Sequence, residues 1–366
     1  MPAGAGAARV AGTMLRTFSI TALAAAAAAA VAGAVAAPAS AVQVVREGDA
    51  LVLRGEPGER NHLIVAADAF SPSRLHFADR GSYPMGADPA LGCELTSSGF
   101  GAFADCPYAG ITAVRAEGAD GDDELDLNWV DLPTGITYAL DGGPGRDDLE
   151  GPTADFPVTL LGGEGDDRLD GGDGADLLDG GPGDDLVDGD DGDDEVHGGP
   201  GDDTVSGGRV RSRDLVDGGP GLDSSLADWN DNTADPEPIS VTLDGRANDG
   251  RAGEDDNVID VERIRTAQVA VLVAGRSPVE FEVEKSRAGA SRLVGSPGPD
   301  KLAGYVGNDT IVGGQGRDVI FGHLGDDRID ARDGARDVVD CDDGDRDRVR
   351  ADRIDRLSGC ERVTRR

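Results

Sequence analysis

A glycine- and aspartate-rich unit that recurs every nine residues constrains this chain more than any other feature. Five units follow one another without a gap over residues 162–206, and four more over residues 295–330. In each of these units the first and fourth residues are glycine, the sixth is aspartate and the eighth is leucine, isoleucine or valine. An acidic disordered tail would not keep its apolar residues in a fixed phase. The period therefore predicts a folded repeat, and looser copies at 118–126, 142–150 and 218–226 extend it.

The nine-residue unit predicts an all-β fold, a parallel β-roll or β-helix solenoid with a small N-terminal β domain. Glycines allow backbone angles that other residues avoid, so the first part of each unit can form a tight turn. The last three residues form a short strand whose middle side chain points inward. Two units then make one coil, and like turns stack on each side of the solenoid. The predicted inward residues are Leu169, Leu178, Val187, Val196, Val205, Leu302, Ile311, Ile320 and Ile329.

Stacked turns of this composition predict calcium sites between the coils. Carboxylate and carbonyl oxygens are hard ligands, which select Ca²⁺ or Mg²⁺ over soft metals. A flexible, carbonyl-rich arrangement favours Ca²⁺, which takes about 6–8 oxygens, over Mg²⁺, which needs a small octahedron. Without the ion, the aspartate rows repel one another and a thin Leu/Val core cannot outweigh chain entropy. We therefore expect calcium binding and folding to be coupled.

The unit resembles the RTX repeat, whose motif is GGxGxDxUx, over residues 118–226 and 293–330 and loosely over 331–350. In that family the aspartate in the sixth place and backbone carbonyls bind Ca²⁺. The resemblance implies this ligand role for Asp123, Asp147, Asp167, Asp176, Asp185, Asp194, Asp203, Asp223, Asp300, Asp309, Asp318 and Asp327. It also implies a secreted calcium-binding protein.

The chain departs from the motif inside the repeats. Asp190 replaces the second glycine of one unit, and Ser225 stands where an inward apolar residue belongs. The closing stretch from Cys341 to Val363 resembles the tail of secreted calcium-binding proteins from high-GC Gram-positive bacteria. Many members of the family leave the cell through a type I exporter that reads a C-terminal signal, whereas this chain has an N-terminus of the Sec type.

The phase of the repeat also decides which acidic residues are left out near the C-terminus. Near the end of the chain, Arg336 and Arg346 occupy the aspartate place. Asp337 and Asp347, which follow them, are therefore not predicted to be ligands.

Composition divides the chain into six segments. Residues 118–226 hold 31 Asp and Glu against five Arg and no Lys, whereas 42–117 alternates short apolar runs with turn residues. Between the two repeat arrays the pattern is less regular, and we favour further coils without metal-binding turns over a small insertion. The segments are a signal peptide (1–41), an N-terminal β domain or cap (42–117), a first array (118–226), irregular β coils (227–292), a second array (293–350) and a C-terminal cap (351–366).

The N-terminus has the features of a secretory signal peptide. Arg9 and Arg16 precede an alanine-rich run, and small residues end at Ala41, after which we expect cleavage. The alternative is a retained anchor, but a span needs about 20 strongly apolar residues and alanine is only weakly apolar. The sequence thus predicts a secreted protein with no stable membrane span.

Four cysteines fit an exported chain with disulfides. Proximity in sequence favours Cys93–Cys106 and Cys341–Cys360 among the three possible pairings. A zinc site is the alternative, but no CxxC pair occurs and the histidines are remote in sequence.

Motifs for catalysis are missing, and we expect the protein not to be an enzyme. The sequence contains neither the HExxH motif of zinc proteases nor the GxSxG motif of serine hydrolases. A formal net charge of −37 disfavours nucleic acid as a partner. Two alternatives remain open: a calcium-stiffened cell-surface adhesin, and an extracellular enzyme with its active site in residues 42–117. The sequence does not identify a protein or glycan partner.

Overall fold

The described part of the protein consists of strands and turns. The computed structural model describes residues 42–67, 73–80, 84–98, 101–127, 132–208, 212–226, 239–250, 256–266, 270–283, 289–342 and 346–366. One short 3-10 helix lies at Pro89–Leu91, and no helix in these ranges is long and apolar enough to cross a bilayer. The predicted signal peptide, residues 1–41, lies outside the described residues. The prediction of an all-β parallel solenoid is confirmed, and the solenoid has about ten turns.

The first eight strands combine antiparallel pairs with the start of the stack. They are β1 (Val42–Glu47), β2 (Ala50–Arg54), β3 (His62–Ala67), β4 (Arg74–Asp79), β5 (Met85–Ala87), β6 (Glu94–Ser98), β7 (Gly101–Pro107) and β8 (Ala113–Glu117). Antiparallel pairing joins β1 to β2 and runs through β3, β4, β7 and β6. Because β2 pairs in parallel with β8, the N-terminal segment is continuous with the coils.

The strands of the first array alternate between two faces of the solenoid. They are β9 (Glu124–Asp126), β10 (Thr137–Pro144), β11 (Asp148–Glu150), β12 (Val158–Glu164), β13 (Arg168–Asp170), β14 (Leu177–Asp179), β15 (Leu186–Asp188), β16 (Glu195–His197), β17 (Thr204–Ser206), β18 (Leu215–Asp217) and β19 (Ser224–Leu226).

The remaining strands continue the same alternation. They are β20 (Ile239–Val241), β21 (Asn257–Ile259), β22 (Arg263–Thr266), β23 (Ala270–Val273), β24 (Glu280–Val283), β25 (Arg292–Val294), β26 (Lys301–Ala303), β27 (Thr310–Val312), β28 (Val319–Phe321), β29 (Arg328–Ala331), β30 (Val338–Asp340), β31 (Arg348–Ala351), β32 (Arg356–Ser358) and β33 (Arg362–Arg365).

Three sheets form the two faces. Sheet 1 has ten strands and ends at β21, sheet 2 has sixteen strands from β6 to β32, and sheet 3 has seven strands from β20 to β33. Successive strands alternate between sheets 1 and 2 in the first array and between sheets 2 and 3 in the second, so each coil contributes one strand to each face. Every pairing from β8 onward is parallel, which is what a solenoid requires.

The core is a single file of apolar side chains on each face. All nine residues predicted to point inward are at most 2 % exposed. Equivalent residues stand opposite one another from coil to coil, as Leu169 does with Val187 and Ile320 with Val339. Ser225, which breaks the apolar pattern, is also buried, and β19 pairs with its neighbours on both sides. The hydrogen-bonded stack therefore continues through a coil that lacks its core residue.

The less regular segment between the arrays contributes strands to the same sheets. β22 and β24 continue sheet 2 without interruption, whereas sheet 1 ends at β21 and sheet 3 begins at β20. Between β20 and β21, the buried carboxylate of Asp249 accepts hydrogen bonds from the backbone N–H groups of Thr242 (2.7 Å) and Val258 (3.0 Å).

Two disulfides lie at the two ends of the described chain. Cys93 bonds to Cys106 and Cys341 to Cys360, which confirms the predicted pairing. Near the C-terminus, Nη1 of Arg365 donates to the backbone carbonyls of Asp352, Arg353 and Asp355 at 3.1–3.4 Å. These bonds tie the last strand to the last turn.

Candidate metal centre in the turn columns

The turns on each side of the solenoid stack into a turn column, and a buried aspartate lies at the same place in each turn. All twelve aspartates predicted from the sixth place of the repeat are at most 3 % exposed. The Oδ1 atom of each one accepts a hydrogen bond from a backbone N–H of the preceding coil. For Asp185 this donor is the N–H of Asp167, at 2.8 Å. The carboxylates therefore form a ladder parallel to the solenoid axis.

The ladder runs the length of both columns, with donor–acceptor distances of 2.6–3.1 Å. In the first array it runs through Asn61, Asp123, Asp147, Asp167, Asp185, Asp203, Asp223 and Glu262 on one side, and through Val158, Asp176, Asp194, Asp214 and Asp256 on the other. In the second array it runs through Val279, Asp300, Asp318, Asp337 and Asp355, and through Ser291, Asp309, Asp327, Asp347 and Glu361.

The second carboxylate oxygen of most ladder aspartates has no partner. Oδ2 is buried and accepts no hydrogen bond in eleven of the twelve predicted residues. The exception is Asp300, whose Oδ2 accepts from the backbone N–H of Ser296 at 2.6 Å. A buried acceptor without a partner costs about 1–3 kcal/mol, and a charged one costs more. Eleven such oxygens in a regular series require a physical reason.

In the first array a second oxygen lies beside most of the orphaned ones. A side-chain carbon placed on Gly180 would lie 2.5 Å from Oδ2 of Asp185 and 2.6 Å from the carbonyl oxygen of Gly198, one coil further. The same pair of acceptors surrounds Gly162, where the two oxygens belong to Asp167 and Gly180. Only glycine fits at the first place because any Cβ would occupy the space that the two oxygens face. Two acceptors from successive coils thus lie close together, and although each carbonyl oxygen accepts a backbone hydrogen bond, Oδ2 accepts none.

A hard cation fits this donor set. No three Asp, Glu, His or Cys side chains converge on one point in the described part of the chain. Each turn offers one carboxylate, so a cation held there would draw its other ligands from backbone carbonyls. A site made of carboxylate and carbonyl oxygens binds Ca²⁺ in preference to soft metals. The residues that would hold it are the ladder aspartates with an orphaned Oδ2 and the first-place glycine carbonyls.

Burial changes the acidity of the ladder. It raises the pKa of Asp194 to about 8 and the pKa values of Asp147, Asp176, Asp185 and Asp327 to about 7. In each residue the ladder hydrogen bond opposes this rise, and neighbouring carboxylates add to it. Burial also raises the pKa values of Asp167, Asp203, Asp223, Asp309, Asp318 and Asp337 to about 6. Without a bound cation, the folded chain therefore holds protons near neutral pH that an exposed aspartate would release.

The structure places Asp337 and Asp347, which were not predicted to be ligands, in the same position as the predicted aspartates. Both are fully buried, both belong to the ladder, and neither Oδ2 has a partner. Asp337 follows Asp327 by ten residues, and Asp347 follows Asp337 by ten. A step of nine from each preceding aspartate therefore falls on the exposed Arg336 and Arg346.

A shorter sequence signal would have found these residues and two others. Every ladder aspartate stands two residues before an inward side chain, as Asp337 stands before Val339. The same triplet marks Asp214 and Asp256, which continue the ladder on the side of sheet 1. The fixed distance is the one between the aspartate and its strand, because turn length can vary while the strand position cannot.

A second, exposed ladder runs beside the buried one. The aspartate in the fifth place of a turn accepts a hydrogen bond from the backbone N–H of the fifth residue in the next coil. Asp166 accepts in this way from Asp184, and Asp184 from Asp202. These carboxylates lie in water, so they have no orphaned buried oxygen and provide a natural comparison for the buried ladder.

Comparison with known protein families agrees with this geometry. The family model of the RTX calcium-binding nonapeptide repeat matches the chain four times, at residues 159–187, 179–210, 287–320 and 304–337. The chain carries RTX repeats. No curated protein gives a significant match to it.

The ladder of buried aspartates extends beyond the matched residues. Asp123 and Asp147 lie N-terminal to the first match, and Asp347 lies C-terminal to the last. All three hold the same ladder position as the aspartates inside the matches. Asp190, which departs from the motif at the second place, adopts a positive φ of 64° in the same way as the glycines that it replaces. The turn therefore keeps its conformation despite the substitution.

The acidity of the ladder predicts a reversed pH dependence when calcium is absent. The unfolded aspartates release their protons near pH 3.8, and the folded ones near pH 6–8. Between these values the folded state binds more protons, so its stability falls as the pH rises from about 4 to about 8. In a chelator, thermal unfolding followed by circular dichroism should give a higher midpoint at pH 5 than at pH 7.5. With saturating Ca²⁺ the unfolding midpoint should instead rise with pH, because protons compete with the cation for the carboxylates. A midpoint in chelator that rises with pH over this range would contradict the assignment.

Proposed function

We propose that this protein is secreted and that its RTX repeats fold when they bind Ca²⁺ outside the cell. The observation that carries the proposal is the series of buried, unpaired Oδ2 atoms in both arrays, most of which lie beside a carbonyl oxygen of the next coil in the first array. Such pairs of acceptors repel without a cation and attract one when it is present. Since they occur in both columns and in both arrays, the whole solenoid depends on them.

The chain's own residues account for the coupling between binding and folding. The core offers one Leu, Ile or Val per strand, which is too little to offset the entropy of ordering an 18-residue coil made of two units. The ladder aspartates add mutual repulsion when ionised. Bound Ca²⁺ would supply the positive charge that both acceptors need. Binding free energy then becomes folding free energy.

Stacking makes the transition cooperative. An aspartate in one coil bonds to the backbone of the coil before it, so each site needs its neighbouring turn in place. Stability in stacked repeats is the sum of the repeats and their interfaces. We expect loading at calcium concentrations on the order of 10⁻⁴–10⁻³ M, the range of extracellular modules.

Secretion is supported by the N-terminal sequence and by the two disulfides, which are common in oxidising compartments. A chain that stays unfolded where calcium is scarce would be exported in an extended state. The sequence contains neither the HExxH motif of zinc proteases nor the GxSxG motif of serine hydrolases. We propose binding, not catalysis, as the activity.

The test is a calcium titration of the mature chain followed by circular dichroism. We expect a β-sheet signal to appear cooperatively with Ca²⁺ and to vanish with EGTA. Mg²⁺ at the same concentration serves as the control and should have little effect, since it does not accept a flexible carbonyl-rich site. Identical spectra with Ca²⁺ and with EGTA would refute the proposal.

A further inference from the structure

The outward face of sheet 3 carries a row of arginines. In the register of the sheet, Arg328 stands opposite Arg348, and Arg348 stands opposite Arg362. The row continues through Thr310 to Arg292 on the other side. Adjacent strands lie about 4.7–4.9 Å apart, so the row offers a guanidinium group at nearly every strand spacing.

This face is positive in a chain that is strongly negative elsewhere. Residues 346–366 contain eight Arg and four acidic residues, against a net charge of −37 for the whole chain. Two of those four, Asp347 and Asp355, are buried in the turn columns. Their carboxylates are therefore turned away from solvent, and the exposed surface of this end is more basic than its composition implies.

The arginines border a groove with a volume of about 600 Å³. Arg328, Arg348, Arg350 and Arg362 line it, together with the hydroxyl-bearing Thr310 and Thr364. One carboxylate, Asp330, also lies in the groove, where Arg332 holds it at 2.6 Å and Arg350 approaches it at 3.7 Å. The groove thus combines several cations with hydroxyl groups and one hydrogen-bond acceptor.

Within the described part of the chain, three of these arginines have no ion-pair partner. In the described ranges, no carboxylate lies within ion-pair distance of Arg328, Arg348 or Arg362. On sheet 2, by contrast, Arg263 pairs with Glu280 and Arg265 pairs with Glu282. A row of unneutralised guanidinium groups along a groove is a surface that fits an anion.

We propose that this groove binds a linear polysaccharide that carries a carboxylate on its sugars, such as a polyuronate. The planar guanidinium group binds carboxylates in a two-pronged way, and the row repeats at the interval of the strands. Hydroxyl groups of the sugar can donate to Asp330 and bond to Thr310 and Thr364. Single-stranded nucleic acid fits less well because its bases need aromatic side chains to stack on, and none lines the groove.

The test uses the calcium-loaded protein and a short oligogalacturonate at a clamped concentration of free Ca²⁺. The clamp matters because the ligand itself binds calcium. Isothermal titration calorimetry should detect binding to the oligogalacturonate and none to its methyl ester, which keeps the hydroxyl groups and lacks the charge. Binding should weaken as NaCl is added. Equal binding of the ester would overturn the proposal.

Two triple variants with the same change in charge locate the site. In the first, Arg328→Gln, Arg348→Gln and Arg362→Gln remove the row on sheet 3, and we expect the affinity to fall about tenfold or more. In the second, Arg263→Gln, Arg265→Gln and Arg356→Gln remove three arginines from the outer face of sheet 2, and we expect a change below about twofold. Circular dichroism in Ca²⁺ establishes that both variants fold.

Three outcomes would overturn the proposal. Equal losses in the two variants would show that net charge and not the groove governs binding. No binding by the folded, calcium-loaded wild type would remove the site and leave the calcium-dependent folding untouched. Equally tight binding of oligothymidylate or polyphosphate would assign the groove to anions in general and not to an acidic polysaccharide.

Discussion

Replacing Gly165 by alanine is expected to lower the free energy of unfolding of the calcium-loaded protein by at least about 4 kcal/mol. Gly165 holds the fourth place of its turn at a φ of +135°. An added Cβ would overlap the backbone carbonyl oxygen of Gly145 in the coil before it. Backbone atoms cannot move aside as a flexible side chain can, so the two coils must separate. Separation breaks the bond that joins these two coils, from the N–H of Gly145 to the carbonyl oxygen of Glu164 (2.7 Å).

A matched substitution separates the cost of the steric overlap from the cost of placing alanine at a positive φ. Gly135 also has a positive φ, +83°, but no atom lies within 4 Å of the position its Cβ would take. Alanine there should cost only the left-handed backbone penalty of about 1–2 kcal/mol. Chemical denaturation of both variants in saturating Ca²⁺ measures the difference. If the two alanine variants lost similar amounts of unfolding free energy, the turns of the described array would not be in contact.

Replacing Asp185 by asparagine is expected to have opposite effects with and without calcium. The substitution removes a carboxylate whose pKa burial raises to about 7, so the folded state without calcium no longer contains that buried charge. The new amide group can still accept from the N–H of Asp167, and its nitrogen can donate toward the carbonyl oxygen of Gly198. The calcium-free solenoid should therefore be more stable. Calcium affinity should fall about tenfold at the altered site, because the charge of the ligands sets the affinity.

The neighbouring Asp184→Asn variant is the control. It changes the net charge by the same amount, and Asp184 also accepts a backbone hydrogen bond, from Asp202 at 2.9 Å. Because Asp184 is exposed, we expect little change in either state. Thermal unfolding in EGTA measures the stability of the calcium-free wild type, Asp185→Asn and Asp184→Asn proteins. Calcium titrations of the same three proteins measure their calcium affinity. If Asp185→Asn destabilised the calcium-free chain as much as it weakened calcium binding, the ladder carboxylate would be a structural acceptor and not a cation ligand.

The local pattern of the repeat was enough to predict the elements of the fold. The alternation of turn glycines with an inward Leu, Ile or Val predicted all nine of the named core residues. The sixth-place rule predicted twelve buried aspartates, and the structure places all of them in the turn columns. These predictions succeeded because each depends on residues within one unit of nine.

The sixth-place rule missed two ladder aspartates where the unit changed its length. Asp327, Asp337 and Asp347 are ten residues apart, so the last two fall outside the phase of nine, yet both lie in the ladder. Likewise, the polar Ser225 did not end the stack, because β19 is held by backbone hydrogen bonds on both sides. Pairing between coils tolerates such changes, since it depends on the strand and not on the turn.

The sequence by itself determined the repeat, its apolar file and its buried carboxylates, because turn, strand and side-chain direction are set by neighbours in the chain. Only the tertiary structure decided which oxygens remain unpaired and that the arginines of the last coils form one row. Both features join atoms from different coils, 14 to 62 residues apart in the sequence. Such contacts depend on how the coils stack, and no single unit of the sequence contains that information.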